Sequence, residues 1–302
     1  MIILDEKLKI VLRNAGLSKT VLSKEMGISS RTIAKIAKGE EISDRVVKRI
    51  AEFLQVPMDE ILEKNEILSA LERERALKLS GGLYHETQIR LAYNSNHIEG
   101  SRLTEDQTRY IFETKTLGAL PSDIALDDVL EVNNHFKCLD FIIQHAAEPL
   151  SEPFITHLHR LLKEGTNFAA AYGAGTYKRF PNTVGGIETT APADVSEAMR
   201  NLLDRYNRTK HATFEDIVAF HYEFECIHPF QDGNGRIGRL IVFKECLKNG
   251  VVPTYIDDRY KLEYYNGLRQ WRSEKGYLLE TFRLGQDLYK RLLDYFAIPY
   301  NS

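Results

Sequence analysis

Residues 228–239 read His-Pro-Phe-Gln-Asp-Gly-Asn-Gly-Arg-Ile-Gly-Arg. Asp232-Gly233-Asn234-Gly235 cannot comfortably continue a helix, so it reads as a tight loop with backbone N–H groups turned inward. The run from Arg236 to Leu247 is apolar on most sides and has helical spacing, so the loop opens onto a helix N-terminus. Such a loop is an anion cradle, because orphan N–H groups and the helix macrodipole both favour negative charge there. Arg236 and Arg239 stand one turn apart at the start of that helix, where cations oppose the dipole. An anionic ligand, a polyphosphate first of all, would offset them.

His228 supplies a base for this cradle. An imidazole beside bound phosphate can take a proton from an attacking hydroxyl near neutral pH. Asp232 is a hard oxygen ligand suited to Mg²⁺, which is held by one or two carboxylates plus substrate phosphates. These groups suit transfer of a phosphorus-centred group to an alcohol. Any one of them alone would read as a His-Pro turn, an Asx turn or a surface arginine; the whole set in this order does not.

The stretch resembles the signature of the Fic family, HxFx(D/E)GNGRxxR, and every specified position matches. The resemblance implies AMP transfer from ATP to a Ser, Thr or Tyr hydroxyl of a target protein. It makes His228 the general base, Asp232 the Mg²⁺ ligand and Phe230 a core anchor. Gly233, Asn234 and Gly235 would line the cradle, with Asn234 and the loop amides on the α-phosphate, and Arg236 and Arg239 would clamp the β- and γ-phosphates. Relatives that act as kinases carry Lys where Gly235 stands, so Gly235 favours nucleotidyl transfer.

Ser95-Asn-His-Ile-Glu99-Gly100 matches the (S/T)xxxE(G/N) inhibitory motif of the same family. The upstream run 83–94 has helical composition and Gly100 is a helix stop, so the inhibitory helix is expected over about 84–100. Arg–carboxylate pairs are bidentate and strong. A carboxylate from Glu99 facing Arg236 and Arg239 would therefore compete with the γ-phosphate.

The composition agrees with a soluble enzyme. The chain has 302 residues, 43% of them hydrophobic and 10% aromatic, and a net charge of −3; length suggests about two domains, and the charge excludes a wholesale polyanion binder. Cys138, Cys226 and Cys246 lie in apolar helical contexts and suit buried thiols of a reducing, cytoplasmic compartment. MIILDEKLKI does not read as a signal peptide. No apolar run approaches the roughly 20 residues that span a bilayer, so no membrane partner is expected.

Residues 1–64 read as short amphipathic helices: 4–14, 18–25 with Ser18 as N-cap, 29–37 and 43–54. Gly27-Ile28-Ser29 forms a helix-turn-helix joint. The segment LSKTVLSKEMGISSRTIAKIAKG resembles the DNA-binding domains of phage-repressor-like regulators. Its second helix would point Ser30, Arg31 and Lys35 toward the major groove, with Lys24 and Lys38 near phosphates. The region holds 12 Lys and Arg against 10 Asp and Glu, so the alternative of a protein-docking module stands beside DNA binding.

Residues 65–82 read as a charged helical connector ending in Gly81-Gly82, and 83–302 as the Fic domain. Residues 175–192 carry a hairpin signal. By resemblance this is the flap that docks target backbone through Thr183, Val184, Gly185 and Gly186 as an added strand. On 261–268, Tyr265 is expected against the adenine and Tyr264 in the core. His221 lies in the apolar stripe Phe214, Ile217, Val218, Phe224, Ile227 and reads as a core histidine.

The fold class expected is mainly α: a helical Fic domain with a short β-hairpin flap, preceded by a small helix-turn-helix domain. The function expected is Mg²⁺-dependent protein adenylylation from ATP, autoinhibited by Glu99, with DNA binding through residues 1–64. Two alternatives remain, a transcription regulator using the Fic fold as a nucleotide-responsive or dimerising body, and a hydrolase removing AMP with water held by Glu99. A homodimer, the target protein and the operator stay open.

Overall fold

The structure is a computed structural model that describes residues 3, 5–58, 61, 65–116, 124–184 and 187–300. The chain falls into two compact units, Met1–Asn65 and Glu66–Ser302.

The first unit contains α1 (Asp5–Asn14), α2 (Lys19–Met26), α3 (Ser30–Ala37) and α4 (Asp44–Leu54). Ser18 and Ser29 cap α2 and α3 by accepting the amides of Val21 and Thr32. Gly27 closes α2 at φ 61°, and this left-handed turn sets the joint between α2 and α3. Leu8, Leu12, Leu22, Ile36, Val47, Ile50 and Leu54 share one core. The apolar faces of four short helices are thus spent on each other.

The second unit contains α5 (Glu66–Leu77), α6 (Leu83–Ile98), α7 (Glu105–Thr114), α8 (Leu126–Gln144), α9 (Glu152–Lys163) and α10 (Asn167–Tyr172). A hairpin of β1 (Thr183–Val184) and β2 (Ile187–Glu188) follows, then α11 (Val195–Tyr206), α12 (Phe214–Ile227), α13 (Asn234–Asn249), α14 (Lys261–Gln270) and α15 (Gly276–Tyr295). Helix α13 is the axis of the unit and packs against α12, α8, α6 and α9. All but three of its residues are buried, so it shows almost no amphipathic bias. Thr213 and Asp216 form a capping box at the start of α12, which fixes where that helix begins.

Two expectations change here. Residues 66–77 are not a solvated connector: α5 buries Ile67, Ala70 and Leu71 in the main core. Its buried Glu74 accepts the Tyr84 amide at 2.8 Å, taking up an orphan donor at the start of α6. The run Glu72-Arg73-Glu74-Arg75 hides this face in the sequence, because charge density alone reads as solvation. The hairpin over residues 175–192 is much shorter than its composition suggests, with Thr183 opposite Glu188 and Val184 opposite Ile187. Gly185 and Gly186 lie outside the described residues.

Candidate active site

Helix α12 ends at His228, whose φ of 50° places it in the left-handed region and whose N–H donates to the Phe224 carbonyl at 2.8 Å. That conformation costs a non-glycine residue of order 1 kcal/mol, and the surroundings hold it there. Phe230 is fully buried and stacks on His159 with ring centroids 3.9 Å apart. The His159 Nδ1 accepts from the Gly175 amide at 2.8 Å, and its Nε2 donates to the Asp232 carbonyl at 3.1 Å. Burial brings its pKa down to about 3, so the ring is neutral, with one accepting and one donating nitrogen. The Asn234 side chain accepts the Phe230 amide and donates to the Phe230 carbonyl, both at 2.8 Å. Asn234 is therefore a brace that closes the loop on itself, and it keeps one further Nδ2 hydrogen beyond the bond to Phe230.

The Nδ1 of His228 lies 3.3 Å from the Glu225 carbonyl and 3.4 Å from the Glu225 carboxylate, which directs Nε2 away from the helix end. A cavity of about 440 Å³ has Val184, Glu225 and Tyr265 in its wall, large enough for a nucleoside. Burial pushes Tyr265 up to about 12, so it stays a neutral phenol. Tyr264 is buried in the core, with its hydroxyl 2.8 Å from His221 Nε2.

Behind the loop lies a ring of buried charge. Arg236 binds Glu131, lies 3.4 Å from Asp232 and donates to Asn96 Oδ1 at 3.3 Å. Lys163, almost wholly buried, binds both Glu131 and Asp232. Burial alone would raise the pKa of Asp232, but Arg236 and Lys163 bring it to about 2. The anion that offsets Arg236 is thus largely internal. Glu131 and Lys163 carry no sequence signal, since on α8 and α9 they look like surface charges.

Arg239 faces α6. Its Nη2 donates to Glu99 Oε1 at 2.7 Å and to the Ser95 carbonyl at 2.9 Å, and its Nε donates to Ser95 Oγ at 3.0 Å. Burial would lower the Arg239 pKa, and Glu99 more than reverses this. A methyl on Gly235 would collide with Glu99 Oε1, so only glycine admits this carboxylate. Gly100, at φ +102°, ends the segment. Glu99 was expected to face both arginines, but its ion pair is with Arg239, because Glu131 already holds Arg236.

Lys178 anchors the hairpin. It donates to Asn182 Oδ1 at 2.7 Å, Thr189 Oγ1 at 2.6 Å and the Ile227 carbonyl at 3.2 Å, and its own amide binds the Pro229 carbonyl at 2.8 Å. In the first unit, Ser30 and Arg31 are exposed on α3, while Lys35 is half-buried with its Nζ 3.5 Å from the Glu41 carbonyl. The site residues not singled out from the sequence are Glu131, His159, Lys163, Lys178 and Glu225; each depends on a tertiary neighbour.

Fold and site together define a helical domain that presents a histidine and an anion-cradling loop at a buried helix N-terminus. Residues 149–245 match the Fic/DOC family, and residues 8–61 match a helix-turn-helix family. The chain carries a Fic domain preceded by a helix-turn-helix domain. It is 28% identical over 235 residues to the protein adenylyltransferase Fic of Nematostella vectensis, covering 75% of this chain and 52% of that protein. It is 26% identical over 251 residues to that of Aedes aegypti, covering 82% and 49%. The chain thus spans about half the length of these curated relatives. A Fic domain containing signaling protein from Bacteroides thetaiotaomicron has a similar fold, with a TM-score of 0.61 and 26% identity over 76% of this chain and 95% of that one. Fic-1 from C. elegans shares the fold at a TM-score of 0.60 and 19% identity, covering 89% and 78%.

Proposed function

We propose that the chain is a protein adenylyltransferase that moves AMP from ATP to a Ser, Thr or Tyr hydroxyl of a target protein and is held low by Glu99. The observation that carries this reading is the pairing of Glu99 with Arg239, one turn along from the cradle. A γ-phosphate and a carboxylate make the same bidentate demand on a guanidinium, so both cannot hold Arg239 at once. The 440 Å³ cavity would seat the adenosine against Tyr265. His228 Nε2 would take the proton of the attacking hydroxyl, while target backbone docks along Thr183 and Val184.

Asp232 fits Mg²⁺ on its own chemistry. Lys163 and Arg236 keep it ionised, and half of its side-chain surface is open. Mg²⁺ is held by one or two carboxylates and takes its other ligands from substrate phosphates and water. When bound, such an ion would neutralise charge on the triphosphate. Arg236, set in the ring behind, would orient Asp232 more than grip phosphate directly.

The α3 helix, with Ser30 and Arg31 exposed, supports duplex DNA binding by the first unit. The free thiols fit a reducing, cytoplasmic compartment. No described helix is long and apolar enough to cross a membrane.

The test is intact-mass analysis after incubation with ATP and Mg²⁺, comparing the unsubstituted chain with Glu99→Gly. The expected outcome is an added AMP mass that accumulates at least about tenfold faster in the variant, a gap of roughly 1.4 kcal/mol in barrier. Equal rates would remove Glu99 as the restraint. No added mass in either protein, with or without candidate targets, would remove adenylyl transfer.

A further inference from the structure

We propose that Glu225 is the positioning residue of the active site: its buried carboxylate holds His228 in the tautomer protonated at Nδ1, so that Nε2 faces substrate as the base. This rests on the adenylyl-transfer reading for its consequence, though not for its geometry.

Glu225 is 4% exposed and sits one turn before His228 on α12. Its carboxylate Oε2 and its main-chain carbonyl lie 3.4 Å and 3.3 Å from His228 Nδ1. Both are acceptors, so the only hydrogen that satisfies them is one on Nδ1. The Nε2–H tautomer would turn a lone pair toward a buried carboxylate. Burial works against ionisation of Glu225, but the hydrogen bond to His228 and the nearby Arg239 charge hold its pKa below the ordinary value.

The surroundings leave Glu225 few other roles. Its Oε1 has no hydrogen-bond partner among the described residues, so His228 is its side-chain partner. His221, one turn earlier, binds the Tyr264 hydroxyl through Nε2, and burial keeps it neutral with a pKa of about 4. Arg239 is committed to Ser95 and Glu99. Gly238 on α13 faces Glu225 directly: a Cβ there would stand 2.7 Å from Oε1 and 2.8 Å from His221 Nδ1. The glycine in the middle of Arg236-Ile-Gly-Arg239 therefore makes room for the carboxylate behind the base.

In the transfer step, the target hydroxyl oxygen bonds to the α-phosphorus as the bond to the bridging oxygen breaks. Pyrophosphate leaves with that electron pair, and the hydroxyl proton ends on His228 Nε2. The resulting imidazolium keeps Nδ1–H on Glu225, whose negative charge stabilises it, as does the C-terminal end of α12. A neutral residue at 225 would leave the tautomer to the main-chain carbonyl and would supply no countercharge.

The test uses the full chain. Nitrogen-15 NMR distinguishes protonated from unprotonated ring nitrogens, and the His228 signals are those lost in His228→Ala. Expected in the parent is an unprotonated Nε2 and a protonated Nδ1. In Glu225→Gln, His228 should show a mixture of tautomers, and Glu225→Asp, which keeps the charge, should retain the parental one. In the Glu99→Gly background, Glu225→Gln should slow AMP transfer at least about tenfold. ATP affinity, read by fluorescence of the single Trp271, should stay within about twofold, since a tautomer change costs rate, not nucleotide binding. An unchanged His228 tautomer in both substitutions overturns the proposal, as does a fall in ATP affinity without a fall in rate. The NMR result is read whether or not the protein transfers AMP, so failure of the adenylyl-transfer reading would appear separately, as no added mass in the Glu99→Gly parent.

Discussion

At the residue scale, the motif 228–239 was read for chemistry because its residue types are chemically distinctive: an imidazole, a carboxylate and two guanidinium groups around glycines. Partners were less legible, since Asn234 also braces the loop internally and Arg236 pairs with Glu131, which is distant in sequence. His228→Ala in the Glu99→Gly background should reduce transfer by about 10²–10⁴-fold while ATP still quenches or shifts Trp271 emission. The imidazole moves a proton and contributes little to ground-state affinity. Asp232→Ala should instead weaken Mg²⁺-ATP binding, and with it leave Lys163 short of one of its two anionic partners. Unaltered transfer rates after loss of His228 would place the base elsewhere.

At the element scale, helices were readable where one face stayed polar, as in α1 to α4, and α13, buried nearly all round, was read from its apolar run and the glycine loop before it. The hairpin was overestimated because β-branched residues and Pro181 mark extended chain as readily as paired strand. Helices α8, α9 and α12 each carry one buried histidine, His135, His159 and His221; only His221 was legible as a core residue, from the apolar stripe it shares. Burial brings His135 and His159 to about 3 and His221 to about 4. Each folded value lies below the ordinary 6.5, so between these limits the unfolded chain binds protons that the folded chain does not. Stability is therefore full above about 6.5 and falls as pH drops below it, by roughly 1.4 kcal/mol per pH unit for each such histidine. Both ring nitrogens of His135 lack a hydrogen-bond partner among the described residues. His135→Leu should thus raise stability by about 1 kcal/mol at pH 7 and by more at pH 5. Urea denaturation followed by Trp271 at the two pH values checks this; a greater gain at pH 7 than at pH 5 would contradict it.

At the scale of the whole molecule, residues 65–82 were read as a connector between two domains, whereas the second compact unit runs from Glu66 to Ser302. The Fic unit includes α5, because Ile67, Ala70 and Leu71 fill its core and Glu74 takes an orphan amide of the helix that carries Glu99. A chain of residues 66–302 should therefore unfold cooperatively in urea, whereas residues 83–302 should lose several kcal/mol, given three apolar side chains at about 1.5–3 kcal/mol each for the larger ones. Matching midpoints for the two fragments would return α5 to the status of a connector.

The first unit raises the remaining question at this scale, which is what a helix-turn-helix brings to the second unit. Its charge is nearly balanced, so sequence-independent attraction to phosphates is weak and any useful affinity has to come from base contacts or from paired half-sites about 34 Å apart. Helix α3 offers Arg31 exposed, while Lys35 is partly tied to its own chain. Arg31 is accordingly the residue that would read a guanine edge. Arg31→Ala should cost roughly 1–3 kcal/mol against a specific duplex, and affinity should fall with salt as Lys24 and Lys38 displace counterions. The duplex to try first is the segment upstream of the protein's own coding sequence, because self-regulation would add a second control to the restraint proposed for Glu99. Titrations at two salt concentrations against that segment and a scrambled duplex decide the matter. A preference for the natural duplex that Arg31→Ala removes is the expected result, and equal weak binding to both would make this unit a protein-docking module.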